Sequence, residues 1–305
     1  MNTNATPTGV ATIDVHHLGR SQIISAFLLH GDEPAIVDPG PASTLPALEA
    51  GLAEQQLALS DIRHILLTHI HLDHAGATGM IVARNPNVQV HVHTRGAPHL
   101  IDPSRLLASA TQLYGDSMDR LWGRILPVPE SAVETLDGGE TLNLGTRTLR
   151  AYNAPGHAKH HLVYFDQRSG TAFIGDNGGV RLPNLAFTRP ATPPPDINLE
   201  QWVETLDLIA RLEPQWIALT HFGAYADVAF HLEDYRERLL RWGEWVRRGI
   251  ESGTDEATQI AAFEAAVAAE AESLDSDKRA ILAQQTGAMM LSWRGLARYW
   301  QKQNA

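Results

Sequence analysis

The chain has 305 residues, of which 44% are hydrophobic and 19% are charged. This composition is typical of a folded protein with a large apolar core, and it excludes disorder as the main state. Lys and Arg number 24 against 35 Asp and Glu, and the resulting net charge of −11 argues against a nucleic-acid partner. No stretch approaches the roughly 18 apolar residues that a membrane span needs.

Cysteine is absent, which excludes disulfides, thiolate nucleophiles and cysteine-ligated metals. Any metal would therefore be held by histidine and carboxylate side chains. The first residues show neither the positive nor the apolar segment of a secretory signal, so we expect a cytoplasmic protein with no membrane partner. The unusual feature is a set of 15 histidines, several of them clustered.

Short β-rich runs alternate with helical segments in the first part of the chain. The apolar and β-branched runs predict strands at residues 10–16, 23–29, 35–37, 62–67 and 89–92, and helices at residues 44–55 and 76–84. Residues 97–122 follow as a helical segment in two pieces, with breaks near Asp102-Pro103 and Gly115. They carry more apolar surface than a connection needs, so we interpret them as a lid.

After the helical segment the pattern again predicts strands, at residues 146–153, 161–165, 171–174 and 215–219, with a helix at 199–212. This mixed pattern ends at residue 226. Beyond it the strand signals stop, and helices are predicted at residues 228–250, 255–272 and 276–303. We therefore predict a catalytic domain over residues 1–226 and a helical extension, packed on the core, over residues 227–305.

Charged residues are concentrated on the first helix of that extension. Its arginines are Arg236, Arg238, Arg241, Arg247 and Arg248. We interpret them as a solvated face paired with glutamates of the same helix, and an arm that binds a phosphate-bearing substrate is the alternative.

The strongest signal for chemistry directly follows the predicted strand at 62–67. His69, His71, Asp73 and His74 lie within six residues, where a strand end delivers side chains into a crevice. His69 and His71 can point the same way and share one ion, while Asp73 and His74 turn toward a second. Without a metal, so many clustered imidazoles would leave costly polar groups to satisfy.

Three more candidate ligands follow later strands. His157 comes after the strand ending near residue 153, Asp176 after the strand at 171–174, and His221 after the strand at 215–219. A glycine within two residues of each permits close approach of the backbone. The repeated arrangement of a strand followed by a metal-binding side chain predicts one common site. The remaining histidines that we expect to be ordinary polar residues are His16, His17, His30, His64, His91, His93, His99 and His231.

The sequence resembles the metallo-β-lactamase superfamily, whose H-x-H-x-D-H motif is met at residues 69–74 and whose later His, Asp and His are matched as well. The resemblance covers roughly residues 10–225 and implies an α/β fold, the αββα sandwich. It also implies two divalent ions, Zn in the first place with Fe or Mn as alternatives. The ligands that it implies are His69, His71 and His157 for one ion, Asp73, His74 and His221 for the other, and Asp176 as the bridge.

The ligand set predicts a dinuclear hydrolase in which a hydroxide between the ions is the nucleophile. Asp73 would orient that nucleophile and take its proton, and Asp38 would hold a ligating imidazole through a hydrogen bond. His160 is a candidate contact to the substrate, and Tyr225 is a candidate donor to an oxyanion.

The substrate is less well defined by the sequence. The apolar lid favours a small ester, thioester or lactone. A phosphodiesterase or phosphotriesterase with the same site is the first alternative, and an iron-dependent sulfur dioxygenase is the second. A binding protein that retains a dead metal site is disfavoured, because none of the seven ligands is missing. Whether the protein forms a homo-oligomer stays open.

Overall fold

A computed structural model describes residues 6–183, 185–272, 274–285 and 289–303. Within these ranges the chain forms two six-stranded sheets. The strands are β1 (Val10–Asp14), β2 (Ser25–Leu29), β3 (Ala35–Val37), β4 (His64–Leu66), β5 (Gln89–His93), β6 (Val133–Leu136), β7 (Thr141–Leu144), β8 (Arg147–Asn153), β9 (Leu162–Asp166), β10 (Thr171–Phe173), β11 (Trp216–Leu219) and β12 (Gly223–Tyr225). The helices are α1 (Leu45–Glu54), α2 (Leu72–Ala75), α3 (Thr78–Arg84), α4 (Ala97–Ile101), α5 (Ser104–Tyr114), α6 (Met118–Trp122), α7 (Leu199–Arg211), α8 (Val228–Glu251), α9 (Glu256–Glu270), α10 (Ser276–Gln285) and α11 (Met289–Gln303).

The first sheet has the strand order β1-β2-β3-β4-β5-β6 and the second the order β12-β11-β10-β9-β8-β7. Strands β3 to β6 run parallel to one another, which directs the ends of β3, β4 and β5 toward one edge of the sheet. In the second sheet β10 and β11 are parallel, so their ends also lie together. Ligands bind where such carboxyl ends meet.

Three apolar layers hold the sheets and helices together. Phe27, Leu66 and Phe173 belong to the buried layer between the two sheets. A second layer, with Leu48 of α1 and Ile81 of α3, covers the outer face of the first sheet. A third joins the outer face of the second sheet to α7, α8, α9 and α11. The result is the predicted αββα arrangement.

The strands that the sequence did not predict are β6, β7 and β12. Only Leu136 of β6 is buried, and β7 and β12 are the two edge strands of the second sheet. Each of the three strands has only three or four residues, and β12 begins at a glycine, so their signal in the sequence is weak. The predicted lid at 97–122 comprises three helices, α4 to α6, rather than two pieces.

The C-terminal helices share an apolar core with the second sheet. Trp202 of α7, Tyr235 and Trp242 of α8 and Leu296 of α11 are buried in the same cluster as Ile217 of β11. The helix predicted at 276–303 corresponds to α10 and α11, and residues 286–288 lie outside the described residues, as do residues 1–5 of the N-terminal segment. The division into a domain over 1–226 and an extension over 227–305 stays a prediction.

The arginines of α8 are all ion-paired. Arg241 pairs with Glu237 and Arg248 with Glu244 on the same helix, as the solvated-face interpretation requires. Further carboxylate partners come from Asp207 of α7, from Glu270 of α9, and from Asp234 and Glu251 of α8. These ion pairs favour the solvated-face interpretation over a free anion-binding arm. Among the described helices, none combines the length and apolarity needed to cross a membrane.

Candidate metal centre

The four residues of the first motif lie at the carboxyl end of β4. The strand ends at Leu66, and the chain then turns into the short helix α2. Thr68 anchors this turn to both sheets, because its N–H donates to Oδ1 of Asp38 at 2.8 Å and its carbonyl accepts from the N–H of Leu162 at 2.7 Å. His69 and His71 therefore lie on the turn, and Asp73 and His74 lie on α2.

The three later residues reach the same edge from the second sheet. His157 follows β8, Asp176 lies in a 3-10 turn (Gly175–Gly178) after β10, and His221 follows β11. Space is tight here. A Cβ atom on Gly175, whose φ is +47°, would lie 2.6 Å from Oγ1 of Thr68. Glycine is required at this position because the turn has to approach the β4 loop so closely.

One group of candidate ligands consists of His69, His71, His157 and Asp176, whose ligand atoms lie within 4.8 Å of one another. Nδ1 of His71 lies 2.9 Å from Nε2 of His69 and 3.1 Å from Nε2 of His157. Oδ2 of Asp176 lies 3.3 Å from Nε2 of His157.

The other group consists of Asp73, His74 and His221. Nε2 of His221 lies 3.2 Å from Oδ2 of Asp73, and Nε2 of His74 lies 3.8 Å from the same oxygen. Oδ1 of Asp176 lies 3.2 Å from Nε2 of His74 and 3.6 Å from Nε2 of His221. The two carboxylate oxygens of Asp176 thus face different groups, which is the position of a bridge.

The hydrogen-bond network assigns the protons of four imidazoles. Thr68 donates its hydroxyl proton to Oδ2 of Asp38, so the 3.1 Å contact between Oγ1 of Thr68 and Nδ1 of His69 is donated by the imidazole. Nδ1 of His157 donates to the carbonyl of Ala191 at 3.0 Å. Nδ1 of His74 donates to Asp38 at 2.7 Å and that of His221 to the carbonyl of Ile23 at 2.9 Å. In the neutral rings, Nε2 therefore carries a lone pair that points into the site.

These lone pairs are a test of whether the residues fit a metal. The lone pairs of His69 and His157 both meet Nδ1 of His71, which has at most one proton to donate. Nε2 of His74 and Oδ1 of Asp176 are buried and have no hydrogen-bond partner in the described part of the chain. Converging lone pairs and a buried carboxylate oxygen repel one another unless a proton or a metal cation lies between them. The donor set therefore fits divalent metal ions.

The two groups differ in their ionisation in the metal-free chain. Burial and the neighbouring imidazoles lower the pKa of His69, His71 and His157, that of His71 to about 4. Burial opposes the charged form of His74 and His221 as well, but the carboxylates around them outweigh it and raise the pKa of both.

Asn177 and Thr220 support the site and were not singled out from the sequence. Asn177 donates from Nδ2 to the carbonyl of Ala154 at 2.8 Å and contacts Nδ1 of His161 at 2.9 Å. The His161 ring stacks on that of His69, with ring centres 4.9 Å apart. Thr220 donates to Oδ2 of Asp38 at 2.8 Å. No local motif marks such residues, because their partners come from distant strands.

The lid and the loop after β1 cover the side of the site that carries Asp73. His17 stacks on Trp122 of α6 with ring centres 5.6 Å apart, and Tyr114 of α5 packs edge-on against the same indole. His17, expected to be an ordinary polar residue, is 6% exposed and interacts with the charges of Asp73 and His221. We call His17, Tyr114 and Trp122 the aromatic roof.

Two further predicted residues have different surroundings. The ring centre of His160 lies 6.1 Å from that of His69 and 6.0 Å from that of His71, which places it beside the candidate ligands. The hydroxyl of Tyr225 lies 2.6 Å from the carbonyl oxygens of Arg181 and Phe222. Its proton is used by the backbone, so the prediction that Tyr225 donates to a substrate oxyanion is wrong.

The protein has two sheets between helical layers, and imidazoles and carboxylates from both sheets lie together at one edge. This combination defines a class of metal-binding α/β sandwich proteins. The sequence profile described as the metallo-beta-lactamase superfamily matches residues 19–221, and the chain belongs to that superfamily. The family and the αββα fold predicted from the motifs are thereby confirmed.

Named relatives support an enzyme of the hydrolase type. A hydroxyacylglutathione hydrolase of Synechococcus sp. (strain JA-2-3B'a(2-13)) is 32% identical over 153 residues, 49% of this chain and 47% of its own. A probable metallo-hydrolase of Bacillus subtilis (strain 168) is 28% identical over 176 residues, 50% of this chain and 52% of its own. A thioesterase of Emericella nidulans is 25% identical over 148 residues, 45% of this chain and 34% of its own. The chain thus spans about half the length of the first two relatives and a third of the last.

Solved structures show the same fold over nearly the whole chain. A metallo-beta-lactamase family protein from Thermus thermophilus has a TM-score of 0.71 at 21% identity and covers 97% of this chain and 94% of its own. An archaeal metallo-beta-lactamase superfamily protein from Sulfolobus tokodaii has a TM-score of 0.65 at 20% identity, with coverages of 94% and 98%.

Proposed function

We propose that the protein is a metal-dependent hydrolase that holds two divalent ions and cleaves small carboxylic esters, thioesters or lactones. The observation that carries the proposal is the position of Asp176, whose two oxygens face two separate groups of ligand atoms. His69, His71 and His157 would hold one ion, and Asp73, His74 and His221 the other. We propose Zn as the metal, with Fe and Mn as alternatives.

When bound, a pair of divalent ions polarises the carbonyl oxygen of a substrate and lowers the pKa of water from about 15.7 toward about 7. The protein's own contribution begins with rigid ligands. Each of the four oriented imidazoles is fixed by a hydrogen bond from its far nitrogen, so little reorganisation is required during the reaction.

Asp73 is the residue that we propose to handle the proton. Its side chain is 22% exposed, against 5% for Asp176 and 4% for His221, so it faces the opening of the site. Burial opposes its ionisation, but His74 and His221 outweigh this and hold the pKa of Asp73 well below its usual range. It is therefore a carboxylate at neutral pH, able to accept a hydrogen bond from an attacking water and so to orient it.

The aromatic roof supports the choice of substrate class. His17 and Tyr114 of the roof lie close enough to Asp73 to interact with its charge, and Leu18 and Leu113 expose apolar side chains on the same loop and helical segment. This surface suits the acyl or aryl part of an ester or thioester. The names of the relatives, a hydroxyacylglutathione hydrolase and a thioesterase, point to the same bond types. The ion pairs of the α8 arginines and the net charge of −11 disfavour a nucleic acid.

The test is elemental analysis of the purified protein combined with a substrate panel. We expect two ions per chain and turnover of thioesters, lactones or aryl esters. Cleavage of bis-(p-nitrophenyl) phosphate without carboxylic ester hydrolysis would replace the proposal with the phosphodiesterase alternative. One iron per chain and oxygen consumption with glutathione persulfide would replace it with the dioxygenase alternative.

A further inference from the structure

The turn that carries Asp176 is held from outside by aromatic side chains of two helices. Nε1 of Trp202, on α7, donates to the carbonyl of Asn177 at 3.1 Å. Nε2 of His231, on α8, donates to the carbonyl of Gly178 at 2.9 Å. The hydroxyl of Tyr235, also on α8, points to the carbonyl of Asp176 at 3.5 Å. Three consecutive carbonyls of one turn thus each face a different helical side chain.

The position of the His231 ring is fixed by its surroundings. It is fully buried, and its ring stacks between those of Tyr225 and Tyr235, with ring centres 6.2 and 6.1 Å away. Burial and the charge of Arg181 lower the pKa of His231 to about 4, so the ring is neutral. Because a carbonyl can only accept, the proton of this neutral ring lies on Nε2.

Tyr235 packs directly against the backbone that follows the turn. Gly179 has a φ of +62°, and a Cβ atom there would lie 2.3 Å from Cε2 of Tyr235. Helix α8 is therefore in close contact with the turn through Tyr235 and also bonds to it through His231. A shift of α8 would move the carbonyls of the turn and, with them, the carboxylate of Asp176.

We propose that His231 and Tyr235 of α8, together with Trp202 of α7, are positioning residues for Asp176, which makes the C-terminal helical region part of the metal centre. The inference rests on the proposed function, because it assigns these residues to the bridge between two ions. His231 and Tyr235 lie beyond residues 19–221, the part of the chain matched by the superfamily profile. The superfamily motifs alone therefore do not explain the orientation of the Asp176 carboxylate.

The contacts of Asp176 are sensitive to small movements of its turn, so the side chains that hold the turn are important. Asp176 has to present Oδ2 at 3.3 Å from one group and Oδ1 at 3.2 Å from the other, and a rotation that improves one contact worsens the other. Residues that orient a metal ligand typically affect metal affinity by about 10- to 100-fold. We expect loss of these positioning side chains to lower the metal affinity of the folded protein and to leave its fold unchanged.

The experiment compares two pairs of variants by zinc titration against a chelating indicator. His231→Phe keeps an aromatic ring in the stack but removes the donor, while His231→Gln keeps a donor. Trp202→Phe removes the indole N–H that holds Asn177. Its matched control is Trp242→Phe, because Trp242 of α8 is also buried and its Nε1 has no partner among the described residues.

We expect His231→Phe and Trp202→Phe to weaken binding of the more weakly held ion about 10-fold or more. His231→Gln should recover most of that loss, and Trp242→Phe should stay within twofold of the unmodified protein. Wild-type affinity in both His231→Phe and Trp202→Phe would overturn the inference, as would an equal loss in Trp242→Phe.

The same titration separates this inference from the proposed function. An unmodified protein that binds fewer than two ions would overturn both. Two ions bound without ester, thioester or lactone hydrolysis would overturn the substrate proposal only, and the variants would still decide the positioning role.

Discussion

His74 donates its Nδ1 proton to Oδ2 of Asp38 across 2.7 Å, and neither side chain is exposed. The same oxygen accepts from the hydroxyls of Thr68 and Thr220 at 2.7 and 2.8 Å. Thr68 follows β4 in the first sheet, and Thr220 follows β11 in the second. One carboxylate at the end of β3 therefore connects the two sheets and a candidate metal ligand, which confirms the hydrogen bond predicted for Asp38.

Replacing this carboxylate should weaken both the fold and the metal site. In Asp38→Asn a neutral amide faces four donors, because the N–H of Thr68 also donates to Oδ1 of Asp38, and the amide brings two further N–H groups into a buried site. We expect a loss of about 3 kcal/mol in the free energy of unfolding of the metal-free protein and a fall in zinc affinity of about 10-fold or more. Denaturant titration and zinc titration measure the two effects.

Glu33→Gln is a suitable control for that variant, because Glu33 is a half-exposed carboxylate that pairs with His64 far from the candidate ligands. It should change neither quantity appreciably. An Asp38→Asn protein with unchanged zinc affinity would contradict the role given to Asp38.

Asp176→Asn tests the bridge itself. The amide has one oxygen and one N–H₂ group, and the latter cannot ligate a cation. We expect elemental analysis after dialysis to find at most one tightly held ion per chain and the turnover number to fall by more than about 100-fold, since the proposed activation of water would require both ions. His71→Ala should remove the first ion in the same assay. Full activity in either variant after exhaustive chelation would rule out the metal mechanism.

Zinc binding should release protons near neutral pH, and mainly from one group. The raised pKa values of His74 and His221 mean that the metal-free protein holds protons there, whereas the lowered pKa values of His69, His71 and His157 leave those rings neutral. A ligand has to lose its proton to bind metal, so affinity falls as the pH is lowered. Calorimetric titrations in two buffers of different ionisation enthalpy should give different apparent enthalpies; identical values would contradict the assignment.

The same shifts have a defined sign for the stability of the metal-free protein. A raised pKa in the folded state stabilises it below the ordinary histidine pKa of about 6.5, and this contribution is lost as the pH rises through the folded-state value. The metal-free protein should therefore lose stability on the alkaline side of neutrality, while the zinc-loaded protein should not. Thermal unfolding across that range, with and without chelator, measures the difference.

The aromatic roof should affect substrate binding more than turnover. Trp122→Ala removes the ring on which His17 stacks and against which Tyr114 packs. We expect KM for an aryl ester to rise about 10-fold, which corresponds to about 1.4 kcal/mol of lost contact, with kcat changed less. Leu240→Ala, an exposed leucine of α8, should alter neither constant. A fall in kcat at unchanged KM would instead place Trp122 in the chemical step.

The tight approach at Gly175 gives a prediction on stability. Its φ is +47°, and an added Cβ would lie 2.6 Å from Oγ1 of Thr68 and 2.9 Å from Nε2 of His161. Gly175→Ala should lower the free energy of unfolding by about 2 to 3 kcal/mol, from overpacking and backbone strain together. Gly253 also has a positive φ but open space around it, so Gly253→Ala isolates the backbone cost. Equal losses in the two variants would contradict the steric argument.

Much of the fold and of the candidate site was predictable because the signal was local. The apolar run before residue 68 predicts a buried strand. The histidines and the aspartate at residues 69–74, directly after it, predict a metal site at the end of that strand. Strands β6, β7 and β12 were missed because they have only three or four residues each, too few to give a distinct pattern. The helical character of residues 97–122 was predictable, and so were its breaks near Asp102-Pro103 and Gly115, although the number of pieces was given as two and not three.

The sequence by itself determined which residue types are available to a metal and at which strand ends they stand, since these depend on short stretches of chain. Only the tertiary structure decided that the oxygens of Asp176 face two different groups, that Asp38 joins both sheets, and that His231 holds the turn at Gly178. The physical reason is sequence separation. The hydrogen bonds of Asp38 to Thr220 and of His231 to Gly178 join residues 182 and 53 positions apart, and packing of the sheets and helices is what brings them together.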